Sequence, residues 1–540
     1  MSHPSAAKPR PGANPLARDL AAAVQRHRQG RLIEAAELYQ RVLARQPRHA
    51  DALHLLGLLE HGRGRQGEAL ALIERAIAAD GRIAAFHIAH GTVLTALGQH
   101  DPAARALDLA LAIDPAHPEA LNALGNLRLA AGDAAAAVEA YRQALAVRPD
   151  YAEALSNLGS ALRAQGRLAE AETTLRQAIS LRPAYVSALA NLGLVLQEQA
   201  RWDEALATYD AALAADGAHP AARGNRAMLL LLLGRLEEGF AEYEARWQMP
   251  GFSTRRRDLG CAAWDGSPLD GQTLLVHAEQ GLGSAIQFVR YAALAASRGA
   301  RVVLESQAPL LRLFRQSLVG TGLPVEAVIR KGEALPSCDR QAPLMSLPHL
   351  LGTTLESIPA DIPYLSASAD DVAAWRQRLA ATPMPRIGLV WAGNARHEND
   401  HNRSMPAASL APLVAGTAAS FFSLQVPAKP DDLDSLPPGR VTDLSAQLRD
   451  FADTAAVIGV LDLLITVDTA AAHLAGALGR PAWLLLPYIP EWRWLRDRED
   501  SPWYPSLRLF RQTAPGDWAG PVDQVRVALA RAGLSLGRSR

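Results

Sequence analysis

The chain has little of several things that would each impose a class. It has 540 residues but only two cysteines, Cys261 and Cys338. Two thiols without metal-ligand spacing predict no disulfide framework and a reducing, cytoplasmic setting. Formal net charge is zero, from 55 basic and 55 acidic side chains. No basic face is implied, which argues against nucleic acid and anionic membrane as partners. The longest apolar run, Ala227 to Leu233, is far too short to span a bilayer. Met1 to Leu16 is polar and proline-rich with no apolar core, so it does not read as a secretory signal.

What is present is a repeat of 34 residues. Gly57, Gly91, Gly125, Gly159 and Gly193 recur at that interval, as do Ala35, Ala69, Ala103, Ala137, Ala171 and Ala205. Prolines 47, 115, 149 and 183 fill a third slot, with Gly81 and Gly217 in its gaps. Each unit reads as two amphipathic helices. One pair cannot bury its apolar face, so a period of this size predicts a stacked solenoid with a concave binding groove. The order Leu124-Gly125, Ala137, Tyr141, Ala144, Pro149 resembles the tetratricopeptide repeat (TPR). Units begin at 16, 50, 84, 118, 152 and 186, with a degenerate seventh from 220 to 248, where Ala227 and Gly239 exchange roles. Asn157, Asn191 and Asn225 share one slot on three successive inner helices. Aligned amides offer donors and an acceptor to an extended peptide. The alternative is that they cap turns or face water. The ladder resembles that of TPR-bearing O-linked N-acetylglucosamine transferases.

The composition shifts after Trp247, since eight of ten tryptophans lie beyond it. Residues 1–15 read as a disordered start, 16–248 as the solenoid and 249–271 as a linker containing Arg255-Arg256-Arg257. From 272 on, apolar runs alternate with helical stretches. Strands are predicted at 273–277, 301–305, 387–391, 421–425, 463–467 and 482–486. Their apolar character suits parallel strands covered on both faces, and the alternation predicts doubly wound α/β layers. The Thr382-Pro383-Met384-Pro385 break divides two lobes, 272–383 and 384–512, with a helix at 521–532 and a loose tail inside 513–540. Ligands of open α/β sheets lie beyond the carboxyl ends of the strands, which puts a site between the lobes.

Three motifs stand at such strand ends. The first is Glu279-Gln280-Gly281-Leu282-Gly283-Ser284, whose glycines allow a tight turn and close approach to a ligand. Its alternative is an ordinary strand-to-helix turn. The second runs from Trp391 through Asn394, His397, Asp400, Asn402 and Arg403 to Pro406. Arg403 there can grip a phosphate with two parallel hydrogen bonds. The alternative is a solvated loop. The third, Asp468-Thr469-Ala470-Ala471-Ala472-His473 on to Gly479-Arg480-Pro481, opens a helix rich in small residues. Free N–H groups at such a start favour a diphosphate. The alternative is an N-capping Asp/Thr pair with a core histidine.

Together, in this order, the motifs resemble bacterial glycosyltransferases of the GT-B fold, above all the heptosyltransferase-like family 9 in its TPR-fused versions. The resemblance covers about residues 264–512. It implies a sugar transfer from a nucleotide-diphosphate donor, without metal or cofactor, to an acceptor recruited by the repeats, a protein among the candidates. It implies that Asp468, Thr469 and His473 hold the diphosphate, that Arg403 is the phosphate-binding base, that Asn394 lines the cleft and that Ser423 and Gln425 lie near the nucleotide. Gly281 and Gly283 would approach the donor. The family's first motif ends in a catalytic aspartate where this chain has Ser284. A serine hydroxyl cannot take the acceptor's proton unaided near neutral pH. His277, Glu279, His397 and Asp400 are the candidate substitutes. The competing expectations are a degenerate scaffold with residual nucleotide-sugar binding, and a factor acting on lipid-linked or polysaccharide acceptors.

Overall fold

The computed structural model describes residues 15–249, 252, 254, 256–279, 281–319, 325–397 and 399–532. The expected disordered start before residue 15, the tail from 533, Gln280, Arg255 and three other positions of the linker lie outside the described residues. The chain forms two compact units, 1–222 and 223–540.

The first unit is a stack of helix pairs, from Pro15–Arg28 with Leu32–Arg45 to Val186–Glu198 with Trp202–Ala215. The six slot alanines, Ala35 to Ala205, are all 0% exposed, as crossing points of two helices must be. The slot glycines have the same cause. A methyl at Gly57 would lie 2.7 Å from Ile73 Cγ1, and at Gly125 or Gly193 it would overlap the Tyr141 or Tyr209 ring. A further periodic slot closes the first helix of each pair. Gly30, Gly64, Gly98, Gly132 and Gly166 have φ between 72° and 84°, but the next member of that series is Ala200, at φ 58°. Ala200 N–H bonds Gln197 O at 3.0 Å and Arg201 N–H bonds Leu196 O at 2.9 Å, a helix end that requires left-handed backbone. That conformation costs a residue with a Cβ about 1–2 kcal/mol, part of which glycine's greater unfolded freedom offsets. Ala200→Gly should therefore stabilise the solenoid by about 0.5–1 kcal/mol. Thermal denaturation checks this; an unchanged or lower midpoint would contradict it.

The second unit starts inside the helix Pro220–Leu232. The pair it forms with Leu236–Tyr243, and the 3-10 turn Glu244–Gln248, thus lie almost wholly in the second unit. Eleven strands follow among the described residues: β1 Ala262–Ala263, β2 Thr273–His277, β3 Arg301–Ser306, β4 Val325–Arg330, β5 Arg340–Pro343, β6 Arg386–Val390, β7 Ser420–Ser423, β8 Val441–Asp443, β9 Leu463–Val467, β10 Ala482–Leu486 and β11 Leu507–Arg511. They make two sheets, ordered β1-β5-β2-β3-β4 and β11-β10-β9-β6-β7-β8, and every pairing is parallel. In the second sheet the chain runs outward one way from β6 and the other way from β9, so the strand order reverses between them. In the first sheet it reverses between β2 and β5.

The helix Ala369–Arg378 precedes the Pro383–Pro385 break yet packs on the second lobe, with Val372 against Gly459 of the helix Phe451–Val460. The last helix, Ala519–Arg531, packs on the second sheet. Its Val522, Val525 and Leu529 join the second-sheet core with Leu413, Ile465 and Phe510.

The cysteine expectation is corrected. Cys261 and Cys338 form a disulfide, with Cα atoms 5.9 Å apart and a sequence separation of 77. Cys261 directly precedes β1 and Cys338 lies two residues before β5, and the parallel pairing of these strands sets Ala262 against Arg340. Neither strand is legible as one in sequence, so the proximity is not either. Disulfides persist where thiols are oxidised, and the argument for a reducing cytoplasm falls with the free thiols. No helix among the described residues is long and apolar enough to cross a membrane.

Candidate functional site at the strand-order reversals

The loops at the carboxyl ends of β2, β6, β9 and β10 bring charged groups from both lobes together. Asp468 follows β9 directly and is 7% exposed. Burial pushes its carboxyl up, and Arg403 is foremost among the cations opposing this, with Arg493 and His397 also acting. Arg403 ends the short helix Asp400–Arg403 after β6. Its Nε donates to Asp400 Oδ1 at 3.3 Å, and Ser404 Oγ donates to the same oxygen at 2.9 Å. Gly393 lies against this pair; a methyl there would lie 2.7 Å from Arg403 Nη2 and 2.9 Å from Asp400 Oδ1 and would have to displace them.

Thr469 stands at the N-cap of the helix Ala470–Ala477 but makes no capping bond. Its hydroxyl lies 3.1 Å from Thr466 Oγ1 instead. The expected capping bond from Thr469 is therefore absent, and among the described residues no side chain accepts from the first N–H groups of this half-exposed helix start. His473 is buried one turn on. Its Nδ1 meets Tyr504 Oη at 3.0 Å, and its ring stacks on Trp494 at 5.2 Å between centroids. Burial, then the cations Arg493, Arg290 and Arg403, hold it well below the usual histidine range, so it is neutral. A methyl on Gly283 would lie 2.8 Å from His473 Cδ2, so the first motif's glycine lets the two lobes touch here.

Sequence reading missed the residues that join these pieces. Arg493, in the loop after β10, donates from Nε to Gln287 Oε1 at 2.5 Å and from Nη2 to Ser284 Oγ at 2.9 Å, both on the helix Leu282–Phe288. Its Nη1 pairs with Glu491 Oε1, and its backbone N–H donates to Glu491 Oε2 at 2.9 Å. The Pro490-Glu491-Trp492-Arg493-Trp494 run was a legible signal: charge interleaved with aromatics directly after an apolar strand.

Other candidates are occupied elsewhere. Glu279 is buried, with Oε1 on Arg246 Nε at 2.8 Å and Oε2 on the Met345 N–H at 2.9 Å. His277 Nε2 meets Gln341 Oε1 at 2.9 Å, and burial lowers it to about 4. Gln425 is a brace rather than a free ligand. Its Oε1 accepts from the N–H groups of Trp391 and Ala392 at 3.2 and 3.0 Å, and its Nε2 donates to Ala392 O at 3.1 Å. Ser423 is fully buried beneath it, with Oγ accepting from Gln425 N–H at 3.4 Å. Asn394 and His397 are exposed; each accepts from a backbone N–H two residues on, those of Arg396 and Asn399. In the solenoid, Asn157 Nδ2 donates to Asn122 Oδ1 at 3.0 Å and Asn191 Nδ2 donates to Ser156 Oγ at 3.4 Å. These amides tie adjacent repeats together, which leaves fewer of their groups for a peptide. Asn225 is half-buried on the seventh pair. No group of three or more metal-ligating side chains occurs among the described residues.

Away from these loops, Arg312 of the first lobe fastens the second. It meets Asp450 at 2.7 and 2.8 Å, Asp371 at 3.0 Å, and Asp453. Despite burial, Arg449, Arg312 and the Arg449 N–H hold Asp453 down at about 2, below its ordinary 3.8. A depressed folded-state value stabilises above the unfolded one. The contribution, roughly 1–2 kcal/mol after allowance for solvent screening, should be complete above pH 4 and lost as pH falls towards 2. Acid denaturation of Asp453→Asn should lack that share of the decline; an identical acid limb would contradict it.

The tetratricopeptide repeat family model matches residues 20–82, 122–186 and 191–251. The N-terminal part of the chain therefore consists of TPR repeats. Protein FlbA of Caulobacter vibrioides (strain ATCC 19089 / CIP 103742 / CB 15) is 26% identical over 308 residues, 53% of this chain and 49% of that protein. The chain thus spans about half the length of the curated relative it matches. Similar solved structures include a tetratricopeptide repeat protein from Parabacteroides merdae ATCC 43184, at 17% identity over 42% of this chain and 91% of that one, TM-score 0.35. Others are the APC/C hetero-tetramer Cut9–Hcn1, at 18% identity over 40% and 43%, TM-score 0.37, and Pseudomonas aeruginosa pilF, at 20% over 37% and 89%, TM-score 0.31.

Proposed function

We propose that the α/β part is a metal-independent GT-B glycosyltransferase using a nucleotide-diphosphate sugar, and that the TPR part binds the protein that receives the sugar. The observation that carries this reading is the helix start at Thr469–Ala471, uncapped by any side chain among the described residues, with Arg403 acting on the same buried Asp468. It lies where the strand order reverses between β6 and β9, the place at which open α/β sheets bind nucleotides. Helix N–H groups and a guanidinium offset the charge that develops on a departing diphosphate. A protein acceptor suits TPR repeats, which are scaffolds for protein–protein interaction.

A second reading, a scaffold that binds nucleotide sugar without turning it over, is favoured by Ser284 and by the guanidinium that occupies its hydroxyl. Calorimetry of the full chain with UDP-, GDP-, ADP- and dTDP-linked sugars tests the first. At least one donor should bind, and Arg403→Ala should weaken it by about 10–100-fold, the loss of a charge-assisted contact. No binding by any member removes the transferase reading.

A further inference from the structure

We propose that Glu491 is the general base of this transfer, supplying from the loop after β10 the carboxylate that position 284 lacks. The inference rests on the transferase reading above.

Three observations support it. Ser284 Oγ accepts from Arg493 Nη2 at 2.9 Å, so that oxygen faces a cation and is unsuited to take a proton. The same guanidinium pairs through Nη1 with Glu491, so the carboxylate lies one planar group away from Ser284. Arg493 bonds both Glu491 oxygens, as Arg246 and the Met345 N–H bond both of Glu279, but the Glu491 side chain is reachable at 23% exposed whereas that of Glu279 is 1% exposed. The other substitutes fare worse. His277 is buried against Gln341, Asp400 holds Arg403 and Ser404, and His397 sits on the exposed loop after β6.

The charges around Glu491 come from several elements. Arg493 is on its own loop, Asp468 faces it from the end of β9, and Tyr243 lies near from the helix Leu236–Tyr243. Burial pushes the Glu491 carboxyl up to about 7, Arg493 opposing and the Asp468 charge reinforcing the rise. A base poised there is half ionised near neutrality and still strong enough to accept a proton. In the step, a Glu491 oxygen takes the hydroxyl proton of the acceptor. The freed oxygen pair forms the bond to the anomeric carbon as the carbon–oxygen bond to phosphate breaks, and its electrons leave with the diphosphate towards Arg403 and the helix start.

The test uses the full chain and the same four donor classes, with nucleotide release to water as the readout, so the acceptor need not be known. Glu491→Gln should keep donor affinity within about threefold and slow release by about 10²–10⁴-fold. The wild type should show an acid limb centred near pH 7, and Glu491→Asp should keep that limb at reduced rate, which a merely structural role would not produce. Wild-type release by Glu491→Gln with the limb unchanged overturns the assignment while leaving the transferase intact. Donor binding without any release by the wild type overturns the assignment and leaves a nucleotide-binding scaffold. Absence of donor binding overturns both.

Discussion

Arg246→Ala is expected to cost the second unit about 3–5 kcal/mol, because it strands a buried carboxylate. Arg246 is 0% exposed. It donates to Glu279 at 2.8 Å, Glu244 at 2.6 Å and Ser346 at 2.7 Å, and its guanidinium lies 4.8 Å over the Trp247 ring. Glu279 then braces the first lobe through the Met345 N–H. Truncating the arginine leaves Glu279 buried without a counter-ion. Removing both charges by Arg246→Met with Glu279→Gln should recover most of the loss, since a buried pair gains little over a well-packed neutral one. Urea denaturation of the two single variants and the double one gives the coupling directly. A single-variant cost below about 1 kcal/mol would mean the pair is not buried in solution.

Tyr504→Ala should cost about 3–5 kcal/mol, as large aromatic deletions in a core do. Tyr504 is fully buried and packs on Gly476, where a methyl would overlap its ring. Arg290 of the first lobe lies 4.6 Å over that ring and reaches the adjacent Trp503 O at 2.8 Å. The phenol also meets His473 Nδ1. Tyr504→Phe keeps the packing but leaves that nitrogen buried and unpaired, for an expected cost of about 1–3 kcal/mol. Denaturant midpoints should therefore rank wild type, Phe, then Ala. Equal midpoints for Phe and Ala would show that the hydroxyl, not the ring, carries the effect.

The repeats were legible because one period imposes the same steric demand many times. Gly125 and Ala137 each answer a contact that recurs in neighbouring units. The strands at 273–277, 463–467 and 482–486 were legible to the residue because nearly every position is buried. Strands β5 and β8 were not. Arg340–Pro343 is polar and ends in proline, and Val441–Asp443 is three residues at a sheet edge, of which Thr442 and Asp443 are exposed. Losing β1 and β5 also hid the disulfide. The site was half legible. Asp468, Thr469, His473, Arg403, Gly283 and Ser284 belong to motifs at strand ends and do converge. Glu491 and Arg493 stand in the charged and aromatic run after β10, but that run names no partner: the contacts of Arg493 with Ser284 and Gln287 arise only when the loop folds onto the helix Leu282–Phe288.

The most direct measurement is a crystal structure of the full chain with a non-hydrolysable analogue of whichever nucleotide sugar binds. Diphosphate oxygens should lie within hydrogen-bond distance of the N–H groups at Thr469–Ala471 and of the Arg403 guanidinium. A nucleotide seated elsewhere, with Arg403 still turned to Asp400 and the helix start empty, would contradict that expectation.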